Sequence, residues 1–184
     1  MGDVVTTGGR FPKTEPTIPN PYPDAGWGEI TAFRYLDDLH LCRAVEAIPR
    51  AGGRDSEYIV AQSYSCAYTL DGEEKTLTVP AGMLTDLTSV PSFGRVVVGR
   101  VGKHLEAAIL HDFLFIAWQF VEGRGARFSD FRFSNALMLA ATETAKVSWL
   151  TRQSIDLAIS SWVGRQVYDE NDRANGATLF VTLP

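Results

Sequence analysis

The chain has 184 residues, of which 45% are hydrophobic and 21% charged, so it is long enough for one domain with a sizeable core. Its formal net charge of -5 lacks the basic excess with which proteins displace counterions from nucleic acid, so we expect no nucleic acid as a partner. The two cysteines have neither disulfide nor zinc-ligand spacing, and no apolar run reaches the ~18 residues of a membrane span. We therefore expect no membrane span.

Residues 1–29 are rich in proline and glycine, which excludes a helix or a central strand. This composition predicts an extended arm with little apolar surface of its own. Such an arm becomes ordered by packing either on its own domain or on a neighbouring subunit, and we favour the neighbouring subunit.

Residues 30–80 carry the signals of antiparallel strands, with β-branched and aromatic residues in two long runs. The pair Asp71 and Gly72 separates two such runs and supplies the positive φ angles of a tight hairpin, with 75–79 as the returning strand. We interpret residues 81–101, which have prolines and glycines and little helical period, as a polar loop that leads to the helices.

In the C-terminal half the apolar period changes to about 3.6, which predicts helices at about 103–121, 129–146 and 148–168. Ser129 is the expected N-cap of the second helix. The tail at 171–184 contains a short β-type stretch, which we expect to add to a sheet edge in its own chain or in another.

These elements predict an α+β fold. An N-terminal antiparallel β-sheet or hairpin packs on a C-terminal bundle of about three helices. Residues 30–170 form the single domain, and extended arms flank it at residues 1–29 and 171–184.

Four polar residues could carry chemistry: Asp86 in the polar loop, the adjacent pair His111 and Asp112 within the apolar stretch AAILHDFLF, and Asp130 at the start of the second helix. Each also fits a structural role, as a turn residue, a buried histidine or an acid in a helix's first turn. If the first two helices are antiparallel, Asp130 returns near His111. The cluster is then either a catalytic site or a structural network.

Metal geometry excludes one kind of site. His104 and His111 lie seven residues apart, which is roughly 10 Å along a helix and too far for both to bind one zinc ion. An oxygen-ligand cation such as calcium could still use Asp112 and loop carbonyls. The sequence has no phosphate-binding loop and no GxSxG nucleophile motif.

Three ordered segments resemble the phage and prophage family of unknown function numbered 1353, over roughly residues 58–140. The segments are VPAGMLTDLTSVP at 79–91, AAILHDFLF at 107–115 and DFRFSNAL at 130–137. The resemblance implies a viral origin, among genes for virion and lysis functions. The chain departs from the family's usual pattern at three positions, which are Phe115 in place of tyrosine, Ser129 in place of alanine, and Arg127, one residue closer to Asp130 than the usual arginine.

The order of polar loop, helical His-Asp and later Asp is also similar, more weakly, to the secreted phospholipase A2 superfamily. That similarity implies His111 as the general base, Asp112 as a calcium ligand and Asp130 as the residue that orients the imidazole. Asp86 belongs to the same catalytic hypothesis. The chain lacks the disulfides and the glycine-rich calcium loop of that superfamily.

Two functions follow as expectations. The first is a bacteriophage virion structural protein, a tail or neck component that assembles as a homo- or hetero-oligomer with other virion subunits through residues 1–29 and 177–184. The alternative is a His-Asp hydrolase, phospholipase A2-like or acting on the cell wall, used in phage entry or lysis. In either case we expect the protein to be made in the host cytoplasm and to reside in the virion.

Overall fold

The computed structural model describes residues 11–24, 26–50, 54–85 and 104–183. Within these ranges, six strands precede four helices, so the α+β class predicted from the sequence is confirmed. The strands are β1 (Ile30–Tyr35), β2 (Leu41–Arg50), β3 (Arg54–Val60), β4 (Tyr64–Leu70), β5 (Glu73–Val79) and β6 (Leu84–Thr85). The helices are α1 (Leu105–Ala117), α2 (Phe128–Thr144), α3 (Trp149–Ile159) and α4 (Trp162–Asp169), and a 3₁₀ turn, Trp118–Phe120, continues α1.

The strands divide between two antiparallel sheets, ordered β1-β4-β5 and β2-β3-β6. The β4–β5 hairpin turns at Asp71 and Gly72, whose φ angles are 51° and 84°, so the predicted Asp-Gly turn is confirmed. The Asp71 carboxylate also accepts hydrogen bonds from the backbone N–H groups of Gly28 and Glu29 at 3.0 Å. This turn therefore fixes the point at which the N-terminal segment enters β1.

Helices α1 and α2 form an antiparallel pair. His111 contacts Asn135 and Phe115 contacts Phe131, so residue numbers rise along one helix as they fall along the other. Most of α1 is buried, because the sheet β1-β4-β5 and the other helices surround it. The Tyr64 hydroxyl, for example, donates to the backbone oxygen of Glu106 at 2.9 Å.

The prediction of one helix over 148–168 is wrong, because two helices, α3 and α4, occupy this stretch. Ser161 starts the second helix by accepting a hydrogen bond from the N–H of Gly164 at 3.1 Å. Gly164 approaches the backbone oxygen of Ile159 so closely that a Cβ atom would clash with it. The break thus depends on a cap and a glycine, which apolar periodicity does not report.

The expected N-cap at Ser129 is also wrong, since α2 begins at Phe128 with Arg127 as the N-cap.

The arm packs on its own domain over residues 11–24 and 26–29, which is one of the two expected arrangements; packing on a neighbouring subunit stays a prediction, and residues 1–10 lie outside the described residues. The N–H of Thr14 donates to the backbone oxygen of Phe180 at 3.0 Å, and the side chains of Ile18 and Tyr22 are buried. These two apolar side chains offset part of the entropy that an extended segment loses on ordering.

The C-terminal tail runs between the arm and β6. Phe180 pairs with Met83 and Val181 pairs with Lys13, each as an isolated antiparallel bridge. The tail therefore adds to a sheet edge of its own chain, which was one of the two expected outcomes.

Among the described helices, none combines the length and the apolar character that crossing a membrane requires.

Tyr22 ties the arm to the end of α1. Its hydroxyl donates to the backbone oxygen of Leu114 and accepts from the N–H of Trp118 at 3.0 Å, so it inserts into the hydrogen bond that would otherwise close this helical turn. Burial raises the pKa of this phenol well above its usual value, which keeps the donor proton in place.

We expect Tyr22→Phe to lower the free energy of unfolding by about 1–2 kcal/mol, because two buried backbone groups lose the hydroxyl that bridges them. Urea denaturation measures the change. Tyr35→Phe is the matched control, since the buried hydroxyl of Tyr35 has no hydrogen-bond partner among the described residues. An equal loss in both variants would contradict the bridging role.

Candidate functional site

The polar pair His111–Asp112 splits between two faces of α1, because successive helical residues point about 100° apart. His111 is only 4% exposed and faces α2. Asp112 is partly exposed and faces β6, where its Oδ2 accepts a hydrogen bond from the Thr85 hydroxyl at 2.8 Å. Adjacent residues in the sequence therefore belong to two separate sets of contacts.

A chain of hydrogen bonds connects His111 to two further helices. Nε2 of His111 lies 3.0 Å from Oδ1 of Asn135 on α2, and Nδ2 of Asn135 donates to the backbone oxygen of Ile159 at 3.2 Å. Ile159 is the last residue of α3, where carbonyl groups lack a partner inside the helix. One buried amide thus joins α1, α2 and the end of α3.

These bonds fix the tautomer of His111. Because the amide group of Asn135 donates to Ile159, its oxygen faces the imidazole and can only accept. Nε2 therefore carries the proton and Nδ1 carries the lone pair. Burial lowers the pKa of His111 from its ordinary 6.5 to about 4, and the bond to Asn135 offsets only part of this effect. The imidazole is neutral at neutral pH.

Phe115 packs against the imidazole. Its ring centroid lies 4.1 Å from that of His111, one helical turn away. The same ring contacts Tyr168 of α4 edge-on at 5.1 Å and Phe131 of α2 at 6.0 Å. The position at which the resemblance expects a tyrosine is thus part of an aromatic cluster around His111.

Asp130 has a different partner from the expected one. It lies in the first turn of α2, is 1% exposed, and accepts two hydrogen bonds from the guanidinium of Arg124, at 2.7 and 2.8 Å. The Ser129 hydroxyl donates to the same carboxylate at 3.1 Å. Arg124 also lies over the ring of Tyr22 at 4.9 Å and donates to the backbone oxygen of Pro23 at 3.4 Å. This pair therefore joins the start of α2 to the arm.

Asn135, rather than Asp130, contacts the imidazole of His111, which corrects the expectation that Asp130 orients it. The reason is the register of the helix pair. Asp130 lies five residues before Asn135, roughly 7 Å along α2, and so faces the far end of α1. Antiparallel packing brings the start of α2 near the C-terminal half of α1, as expected. The residue that contacts His111 is nevertheless more than one turn further along α2 than Asp130.

Two candidates remain, Asp86 as a catalytic residue and Asp112 as a cation ligand. Asp86 lies outside the described residues, so its catalytic role stays a prediction. Asp112, the expected calcium ligand, contacts Thr85. Among the residues that the structure describes, no group of three or more histidine, cysteine, aspartate and glutamate side chains is arranged to hold a metal ion.

Two open cavities lie away from these residues. One, of about 550 Å³, lies between the start of β1 and helices α2 and α3, where Trp27 and Trp149 contribute to its lining. The other, of about 630 Å³, lies between the arm and the β4–β5 hairpin. Neither His111 nor Asp130 lines either cavity.

Sequence reasoning missed Asn135 and Arg124. Asn135 interrupts the apolar side of α2, one turn after Phe131, and a buried amide at such a position needs partners. Arg124 stands between two glycines, six residues before Asp130, which hides it from helix-spacing rules. The motif comparison pointed instead to Arg127, the N-cap residue of α2.

The family model described as Protein of unknown function (DUF1353) matches residues 60–159, more than half of the chain, and the chain belongs to this family. The match runs from the end of β3 to the end of α3 and so contains His111, Asn135 and Asp130. The resemblance seen in the three sequence motifs is thus confirmed. No curated protein and no solved structure matches the chain.

We expect His111 to make stability depend on pH. Because its pKa is about 4 in the folded state and 6.5 ordinarily, the unfolded chain takes up the proton first as the pH falls. The stabilisation that the neutral imidazole contributes is complete above pH 6.5 and decreases towards pH 4. Between about pH 7.5 and about pH 4.5 the loss of this contribution lowers the free energy of unfolding by about 2 kcal/mol. Urea denaturation at both pH values measures it.

In His111→Gln this part of the pH dependence disappears, whereas His40→Gln, at an exposed position, is the control and keeps it. An unchanged pH profile in His111→Gln would contradict the buried, neutral state of the imidazole.

Proposed function

We propose that this protein is a structural component of a bacteriophage virion, in the tail or neck, and that it assembles through an exposed surface of α3 and α4. This surface, called the apolar face, consists of Trp149, Leu150, Leu157, Trp162, Val163 and Val167, all of them exposed. The proposal keeps the assembly function expected from the sequence and moves it from the terminal arms to the helices.

One observation carries the proposal: every exposed residue between 148 and 167 is uncharged. The two arginines of this stretch are only about a quarter exposed and bind residues of their own chain, Arg152 to Glu143 and Arg165 to Asp169. Protein interfaces are depleted of charged residues and enriched in tryptophan, and monomers rarely leave a large contiguous apolar patch exposed. The apolar face has the composition of an interface.

The candidate catalytic residues support an enzyme less strongly than the apolar face supports assembly. His111 and Asp130 are buried and each is hydrogen-bonded to a residue of another segment. A structural network accounts for both contacts. The arm and the tail bind their own domain over 11–24, 26–29 and 177–183, which leaves the apolar face as the better assembly surface. The viral part of the proposal rests on the motif resemblance alone.

We expect particles purified from the phage or lysogen that encodes the chain to contain the protein in a fixed number of copies. Trp162→Glu in the apolar face should reduce incorporation at least about tenfold, because a charge replaces an interface tryptophan. Quantitative mass spectrometry of the particles measures the copies. Leu36→Glu, at an exposed leucine outside the face, is the matched control. Expression in the cell with no protein in the particles would contradict the proposal.

A second candidate, the hydrolase, is favoured by the tautomer of His111. A lone pair on Nδ1, with Nε2–H held by Asn135, is the arrangement that a general base requires. In this candidate Asp112 would bind a cation such as calcium, and Asp86 would be a further catalytic residue. A pKa of about 4 makes the imidazole a weaker base than the ordinary histidine, and its burial limits access. Turnover of phospholipid or peptidoglycan that His111→Gln abolishes, with the fold retained, would favour this candidate over assembly.

A further inference from the structure

We infer that the apolar face binds a second copy of this chain, so that α3 and α4 of two protomers form a two-fold dimer. The inference rests on the proposed assembly function and names the partner for it. Leu157 near the end of α3 and Trp162 at the start of α4 lie five residues apart, on either side of the link at 160–161, and both are more than 70% exposed.

Charge favours a second copy. The whole chain carries a net charge of -5, so two copies repel each other across most orientations. Residues 143–169 are balanced, because the acids and bases in this segment are equal in number: Glu143, Asp156 and Asp169 against Lys146, Arg152 and Arg165. Two ion pairs within the segment, at 3.0 and 2.6 Å, neutralise four of them. The apolar face is thus a surface on which two copies can approach without like-charge repulsion.

A surface that meets its own copy must also be complementary to itself. The apolar face satisfies this condition chemically, because its centre is apolar and its remaining exposed side chains, Gln153 and Gln166 among them, both donate and accept hydrogen bonds. Polar groups of this kind can pair with themselves across a two-fold axis. A partner whose surface carries mainly one sign of charge would find no opposite charge among these exposed side chains.

The size of the surface is consistent with a dimer. Trp149 is 63% exposed and Trp162 is 76% exposed. Since a tryptophan side chain can bury up to ~250 Å², these two alone offer roughly 300 Å². Four exposed aliphatic side chains and the polar rim increase the area towards the ~800 Å² that each partner contributes to a standard interface. Burying two tryptophans per protomer supplies the anchors that such interfaces use.

A lipid surface is the less favourable partner. Helices that lie in a membrane interface carry lysine and arginine along their polar side. Between 148 and 167 no exposed residue is cationic, and the two arginines bind acidic residues of their own chain. The net charge of -5 adds repulsion from anionic lipids.

Sedimentation velocity of the full chain over about 1–100 µM tests the inference. We expect wild-type protein to reach twice the monomer mass in this range, and Trp162→Glu and Leu157→Glu each to raise the dissociation constant at least about 100-fold, since symmetry places each substitution in the interface twice. Leu36→Glu is the matched control and keeps the wild-type dissociation constant. Far-UV circular dichroism confirms that each variant is folded.

A wild-type monomer at the highest concentration would overturn the inference, and so would a dimer that both variants retain. Flotation with phosphatidylcholine vesicles tests the lipid alternative, and we expect no wild-type protein in the vesicle fraction. Co-flotation that Trp162→Glu abolishes would overturn the dimer in favour of a membrane surface. The dimer can fail while the protein is still found in virions, so failure of this inference is distinguishable from failure of the proposed function.

Discussion

The buried hydrogen-bond chain from His111 through Asn135 to Ile159 is the constraint on which the helical half of this protein depends. An imidazole removed from water must find a partner inside the protein, and the amide of Asn135 supplies one only in a single register of α1 against α2. The same amide binds the backbone oxygen at the end of α3. It thereby ties the end of α3, where the cap at Ser161 and Gly164 break the helix, to the pair α1 and α2.

The buried pair of Arg124 and Asp130 plays the corresponding part at the other end of α2. A buried ion pair contributes little net stability, but an unpaired buried charge costs several kcal/mol, so the pair enforces the arrangement around it. Arg124 lies over Tyr22, whose hydroxyl inserts into the end of α1. The arm over 11–24 is consequently built into the domain.

The sequence predicted those features that depend on local pattern. The Asp-Gly turn at 71–72 and the positions of the first two helices follow from backbone preference and apolar period. The partner of His111 could not be predicted in this way, because a displacement of more than one turn between two packed helices leaves the apolar period of each helix unchanged. The break before α4 was missed because Gly164 acts through a close backbone contact with a residue of the preceding helix, which no periodicity encodes.

The central claim is that His111 is a buried, neutral connector between helices whose Nε2 proton is held by Asn135. Nitrogen NMR of the imidazole in the full chain tests it most directly, because the two ring nitrogens report the tautomer and the charge separately. We predict a neutral ring with the proton on Nε2, unchanged from about pH 8 to about pH 5, since its pKa is about 4. A titration centred near 6.5, or a proton on Nδ1, would contradict the account.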